Sequence, residues 1–377
     1  MIGIFVVLIG LFSIPVGAVE LDIKVKSACL MDIGTGTVLY EENSHTPLPP
    51  ASVTKVMTML LIMEAIDSGR IGLTDMVTAS ENAAAKGGSQ IYLKAGENLS
   101  VEEMLKSVAV SSANDCACAL AEHIAGSESA FVDLMNKRAE ELGMKDTHFV
   151  NCTGLDDDDS AKEHLTSAYD IALMSRQLLK YHPDITKYTT IWMDTVRGGS
   201  FGLSNTNKLV RFYSGATGLK TGFTSGAGYC LSASAQREGL GLMAVVMGSE
   251  TSQDRFNACK AMLDYGFANF SLVTPQFKGE LEIPVKLGSR QMVKAVPGED
   301  AQLLIDKSQK DMVTTDFTLE ESVTAPVSKG QRLGTMTGRA GEQILAQIPL
   351  VAETEVSRLT WSDLFVKLLG RIAMAKQ

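Results

Sequence analysis

The sequence has no excess of positive charge. Its 34 Lys and Arg face 44 Asp and Glu, a formal net charge of −10. A general nucleic-acid binder carries the opposite balance, so nucleic acid is not an expected partner. Aromatic residues are sparse, at 6%. The usual metal and redox spacings are missing too. The six cysteines Cys29, Cys116, Cys118, Cys152, Cys230 and Cys259 form no CxxC, which argues against a zinc ribbon or a thioredoxin-type centre. The five histidines are scattered and form no HExxH, so the helix of a zinc protease is absent. The cysteines read as buried free thiols. Cys116 and Cys118, two apart on an expected helix, point to different sides and read as packing.

Length sets the scale. The 377 residues allow two or three domains of about 100–200 residues each, enough to bury a core without disulfides or metal. Residues 2–16 are predominantly apolar and lead into Val16-Gly17-Ala18. Small residues at those positions mark a cleavage site, so 1–18 reads as a signal peptide cut after Ala18, although no Lys or Arg precedes the apolar run. The run is also short of the ~20 residues a membrane span needs. At the other end, Trp361, Leu364, Phe365, Leu368, Leu369, Ile372 and Ala375 share one arc when plotted at about 100° per residue. Asp363, Lys367 and Arg371 lie opposite. This amphipathic helix either lies in a membrane interface or packs on a protein surface.

Between these ends, strands come first, helices fill the middle, and strands return. Ala28–Met31 and Thr37–Tyr40 read as a hairpin around Gly34-Thr35-Gly36. A long apolar helix is expected from about Ser52 to Gly69. Ser100-Val101-Glu102-Glu103 reads as a capping box opening another helix. Further helices are expected near 115–125, 128–143, 166–180 and 251–267, with strands at Tyr229–Ala235 and Leu240–Met247. That order indicates one α+β domain whose sheet draws on both ends of the segment. After about Leu272, short alternating runs punctuated by Pro and Gly indicate a small β-rich domain over 273–352. Asp156 to Asp159 reads as a solvated charge run, since the ligand spacing of a calcium loop is missing.

Three short motifs carry chemistry. Ser52-Val53-Thr54-Lys55 stands where a Pro-rich segment enters the long helix. Residues three apart share a helix face, so the hydroxyl and the amine can meet. A serine needs a base to become a nucleophile, and at its reference pKa only about one lysine in 2,500 is neutral at pH 7. Burial and a second cation would both raise that fraction. Ser112-Ala113-Asn114 falls at a helix junction, where a simple cap would also use Ser and Asn. Lys220-Thr221-Gly222 falls just ahead of the strand expected at Tyr229. Each motif alone is weak. SxxK, SxN and KTG in that order are specific.

With these motifs the chain resembles the low-molecular-weight penicillin-binding proteins, the serine-type D-alanyl-D-alanine carboxypeptidases. Asn151 with Thr153-Gly154-Leu155, and Thr166-Ser167-Ala168-Tyr169-Asp170, add to the likeness. The resemblance implies a β-lactamase/transpeptidase-like catalytic domain over 19–272, an antiparallel sheet flanked by helices, followed by the β-rich domain and an amphipathic tail over 353–377. It implies an exported enzyme on the outer face of the cytoplasmic membrane, held there by the tail. Its substrates would be peptidoglycan stem peptides and its inhibitors β-lactams, with no metal or organic cofactor. Ser52 would be the nucleophile and Lys55 the general base, while Ser112 returns a proton to the leaving D-alanine. Asn114 would hold the substrate amide. Lys220 would keep Lys55 neutral and, with Thr221, face the terminal carboxylate. Gly222 would let substrate lie along the strand, and the backbone N–H groups of Ser52 and Phe223 would form the oxyanion hole.

Three alternatives share parts of this pattern. A β-lactamase has the same nucleophile, but no convincing match to the Glu-bearing loop of class A enzymes lies between Asn114 and Lys220. A non-catalytic penicillin-binding sensor or wall-binding protein would tolerate loss of Lys55 or Lys220, and both are present. An exported Ser-His-Asp hydrolase would require the GxSxG of a nucleophile elbow, and none is expected.

Overall fold

A computed structural model describes residues 21–157, 159–275, 281–298, 301–363 and 365. The expected signal peptide and most of the expected tail helix lie outside the described residues. Two compact units divide the chain, one ending at Ala268 and one running from Asn269 onward.

The first unit is built on a five-stranded antiparallel sheet. Its spatial order is Val38–Glu42, Ser27–Asp32, Leu240–Ser249, Gly228–Arg237 and Ala216–Thr224. The expected first hairpin is present, and both ends of the segment supply strands. Lys220-Thr221-Gly222 does precede the strand expected at Tyr229, which is Gly228–Arg237, but it also lies inside a strand of its own, the nine-residue Ala216–Thr224, that the sequence reading did not assign. Residues 218–222 are buried in succession, so the run shows no polar–apolar alternation by which a strand could be recognised.

One sheet face carries Cys29, Met31, Cys230, Met243 and Val245 into a core shared with the helices. At its centre is the helix Lys55–Asp67, buried on nearly every side. A helix apolar all round needs neighbours all round, and it packs against Val101–Ser111, Asn114–Ala125 and Ala168–Tyr181. The opposite sheet face packs on the helix Ser252–Asn269. There a Cβ on Gly266 would stand 2.5 Å from Leu242 Cδ1, so glycine is what permits the close approach. Ser100 does cap its helix. Its Oγ accepts from Glu103 N at 3.2 Å and bonds the Glu103 carboxylate at 3.2 Å.

The second unit is β-rich. Six strands are ordered Val313–Leu319, Arg332–Ala340, Gln343–Ala352, Met292–Pro297, Glu282–Lys286 and Val323–Thr324. Phe270–Val273 pairs with Leu303–Asp306, which carries the unit a few residues upstream of the boundary expected at 273. Ile283, Val293, Leu303, Leu333, Met336 and Leu350 centre its core. Among the described residues, no helix is long and apolar enough to cross a membrane.

Candidate active site

The turn that carries Ser52 is a short 3-10 helix, Ala51–Thr54, that runs directly into the helix beginning at Lys55. This register sets Lys55 Nζ 3.0 Å from Ser52 Oγ and 2.7 Å from the Thr153 carbonyl, to both of which it donates. Lys55 has no solvent exposure. Burial pulls its pKa down to about 7, and the acidic groups of Cys152 and Asp115 offset only part of the pull. About half the lysines are then neutral at pH 7, against roughly one in 2,500 for a solvated lysine. The amine is a base poised at working pH and already aimed at a hydroxyl.

A loop remote in sequence braces this turn. Asn151 Oδ1 accepts from the N–H groups of Thr153 (3.1 Å) and Gly154 (2.7 Å), and its amide donates to the Leu155 carbonyl at 3.0 Å. The Thr153 carbonyl is thereby held toward Lys55. Gly154 lies at φ +79°, and a Cβ there would stand 1.8 Å from the Ala51 carbonyl oxygen. Only glycine allows the loop to reach Ala51, the residue before Ser52. Ala51 itself sits at φ 47°. Its carbonyl accepts from Thr54 Oγ1 at 2.8 Å, and His164 Nε2 lies 2.7 Å from that hydroxyl. Val150 N donates to His164 Nδ1 at 3.0 Å, so the ring proton sits on Nε2 and is given to Thr54. Burial, with the nearby charges of His148 and Lys55, lowers the His164 pKa to about 4 and keeps the ring neutral.

Ser112 and Asn114 occupy the corner between two helices. Ser112 ends Val101–Ser111 in the left-handed conformation, φ 63° and ψ 27°, a strained setting for a serine that is common at functional sites. Asn114 opens the next helix, and its amide donates to the Gly87 carbonyl at 2.7 Å. Ser112 Oγ and Asn114 Oδ1 are buried and find no partner among the described residues. Such orphaned groups require an explanation, and a substrate amide and amine would supply one. Asp115 ties the 91–93 segment to the same helix, since its carboxylate accepts from the N–H groups of Ile91 and Leu93.

The strand Ala216–Thr224 is an edge strand that packs on the turn that carries Ser52. A Cβ on Gly222 would meet the Pro50 carbonyl at 2.7 Å and the Ser52 and Val53 nitrogens at 3.1 Å. Its first service is therefore to admit that turn itself, before any substrate. Lys220 is 1% exposed and donates to the Thr221 carbonyl at 2.8 Å. Burial, then the positive charges of Lys55 and Arg255, push its pKa well down. The Thr221 hydroxyl is 2.6 Å from that of Thr206. Phe223 is half exposed and stacks on Tyr229 at 4.2 Å. Arg255, which the sequence reading did not single out, bonds the carbonyls of Gly222 (2.9 Å) and Cys230 (3.3 Å). It fixes the end of the edge strand from the helix behind it. No local signal distinguishes it from a surface arginine.

One GxSxG string occurs, Gly198-Gly199-Ser200-Phe201-Gly202. It lies at the tip of the hairpin of Met193–Val196 and Phe201–Ser204, and the Ser200 hydroxyl donates to the Arg197 carbonyl at 2.9 Å. A Ser-His-Asp hydrolase is thus set aside by where the string falls and not by its absence.

Comparison with known proteins agrees with the geometry. Residues 15–251 match a family profile described as D-alanyl-D-alanine carboxypeptidase, and residues 270–358 match that of the penicillin-binding protein 5 C-terminal domain. The D-alanyl-D-alanine carboxypeptidase DacF of Bacillus subtilis is 42% identical over 359 residues, 93% of this chain and 90% of its own length. Penicillin-binding protein 5 from Haemophilus influenzae superposes with a TM-score of 0.78 at 32% identity, over 91% of this chain and all of that one. Penicillin-binding protein D2 from Listeria monocytogenes, solved in a cefotaxime-bound form, gives 0.61 at 30% identity over 66% of this chain and 99% of its own.

Proposed function

The chain belongs to the D-alanyl-D-alanine carboxypeptidase family and is a serine-type enzyme of that activity; from that premise we propose how its residues divide the reaction. Ser52 attacks the carbonyl between the two terminal D-alanines of a stem peptide while Lys55 takes its proton. The N–H groups of Ser52 and Phe223 receive the developing oxyanion. Ser112 relays a proton to the departing D-alanine amine. Asn114 holds the substrate amide, and the substrate backbone adds to the free edge of the 216–224 strand. Lys220 and Thr221 receive the terminal carboxylate, whose negative charge restores the ammonium form that burial disfavours. Water then attacks the Ser52 ester, Lys55 takes the water's proton, and collapse returns a proton to Ser52.

The observation that carries this reading is the fully buried Lys55 amine, with a pKa of about 7, 3.0 Å from the Ser52 hydroxyl. A β-lactam resembles the D-Ala-D-Ala terminus and would acylate Ser52 in the same way, which the cefotaxime-bound Listeria relative supports. The deciding experiment is D-alanine release from a diacyl-L-Lys-D-Ala-D-Ala peptide, with and without prior penicillin. We expect release that penicillin abolishes. Folded protein that releases none would overturn the reading, and rapid turnover of penicillin would replace it with a β-lactamase.

Domain limits and location follow the same premise. Residues 1–18 would direct export, the catalytic domain would run from 19 to about 268, and the β-rich domain from about 269 to 359. The tail expected over 353–377 starts later than that, because Val356 is buried in the β-rich core and Leu359 N donates to the Leu287 carbonyl; the segment from about 360 to 377 would rest on the outer face of the cytoplasmic membrane. At its described start, Trp361 and Phe365 are 89% and 63% exposed, as an apolar face awaiting a lipid surface would be. Deleting 361–377, which spares the Val356 packed in the β-rich core and paired with Val327, should leave turnover of the soluble peptide unchanged and release the protein from membranes. Continued membrane attachment would refute the assignment of the tail.

A further inference from the structure

A second cluster of reactive side chains stands behind the nucleophile turn and is not used by the reaction. Cys118 comes from the helix Asn114–Ala125, Glu128 from the first turn of Glu128–Glu141, and Cys152 from the loop that holds Lys55. Their ligating atoms all lie within 4.8 Å of one another. Cys152 Sγ is 3.3 Å from Glu128 Oε1, and Cys118 Sγ is 3.6 Å from Glu128 Oε2. With metal–sulfur and metal–oxygen bonds of about 2.3 and 2.0 Å, the sulfur–oxygen edge of a tetrahedral site is about 3.5 Å. The edge from Cys152 Sγ to Glu128 Oε1 is already close to that length.

Its surroundings match what a metal site needs. Both cysteines are fully buried, and the Glu128 side chain is 15% exposed. The Asn82 amide donates to Cys118 Sγ (3.2 Å), to Glu128 Oε2 (3.2 Å) and to Glu122 Oε1 (2.9 Å). Lys86 Nζ donates to Glu128 Oε2 at 2.6 Å. Outer donors of this kind orient ligands and temper thiolate charge. They also engage Oε2, which leaves Oε1 as the oxygen available to an ion. The charges balance in both states. Without an ion, Lys86 lies on the Glu128 carboxylate and offsets its charge. With a divalent ion, two thiolates and one carboxylate are matched by the ion and the Lys86 ammonium. Binding exchanges the ion for two protons released to solvent and leaves no net charge buried.

We propose that Cys118, Cys152 and Glu128 bind one thiophilic divalent cation of the zinc class, with water as the fourth ligand. The ion serves the fold and touches no reacting atom. The Cys152 carbonyl accepts from Thr58 Oγ1 at 2.6 Å, and the next carbonyl, that of Thr153, accepts from Lys55. An ion on Cys152 therefore anchors the loop that holds the general base.

Cobalt(II) added to the reduced full chain tests this directly. One equivalent should bind with a near-ultraviolet thiolate-to-cobalt band and visible bands of tetrahedral intensity. The near-ultraviolet band should be lost in Cys118→Ser and in Cys152→Ser, and retained in Cys259→Ser. Glu128→Gln should weaken binding at least about tenfold, in the range seen when a site loses a supporting group. Should the serine variants fail to fold, X-ray absorption at the zinc edge of the zinc-loaded wild type settles the matter, with two sulfur neighbours at about 2.3 Å expected. A shell of nitrogen and oxygen alone, cobalt bound without a thiolate band, no binding, or a Cys118–Cys152 disulfide in the protein as purified would each overturn the proposal.

Discussion

Ser52→Ala should lower D-alanine release by about 10⁴-fold or more, in line with the loss of a nucleophile that acts as one unit with its base. What survives would come from substrate binding and the oxyanion donors, neither of which needs the Ser52 side chain. The substitution should leave the fold intact. The Ser52 hydroxyl accepts from Lys55, but the amine keeps its second partner, the Thr153 carbonyl. The Ala51 carbonyl keeps its bond from Thr54, so the turn stays closed. The variant should melt near the wild type and bind stem peptide with similar affinity. Labelled penicillin gives an independent check, because the covalent adduct should vanish together with turnover. A stable penicilloyl adduct on the variant would place the nucleophile elsewhere and sink the assignment of Ser52.

The three motifs were legible because each keeps its chemistry within three or four consecutive residues. What braces them was not. Thr153 lies 98 residues from the lysine its carbonyl holds, and His164 lies 110 residues from Thr54. No local pattern encodes such pairs, although the Asn151-to-Leu155 and Thr166-to-Asp170 strings were visible as likenesses without roles. Gly222 was read for its chemistry toward substrate. The constraint that requires glycine there is the backbone of Pro50, Ser52 and Val53 against it, and a through-space clash leaves no trace in spacing. Cys118 and Cys152 read as packing for the same reason, since their convergence on Glu128 exists only in the fold. Alternation alone did not decide which strands could be read. Val313–Leu319 was passed over although its exposure alternates strictly, while Gly228–Arg237 and Leu240–Ser249 were found although they are buried over most of their length. The buried strand that bears Lys220 shows no alternation at all.

Lys55 governs the expected dependence on pH. A lysine accepts the Ser52 proton only when neutral, and its pKa is held at about 7 by burial. Below that value kcat/KM should fall tenfold per pH unit, and above it the rate should level off. His164 cannot supply this limb, because its pKa is lowered to about 4. Lys55→Arg keeps a long cation in the same place but removes the neutral form. It should lower kcat/KM by about 10²- to 10⁴-fold, the usual contribution of a general base, and abolish the limb near pH 7. A variant that retained both rate and limb would remove Lys55 from the mechanism. Stability should carry the same signature with a definite sign. Between the folded value of about 7 and an unfolded value of about 10.4, the unfolded chain holds the extra proton. Stability should therefore rise with pH across that window. Lys55→Met, which has nothing to titrate there, should lose that part of the slope. The charge that makes Lys55 costly to bury at neutral pH is the same charge it must shed to act as a base, so the activity limb and the stability slope should both be governed by the one folded-state pKa.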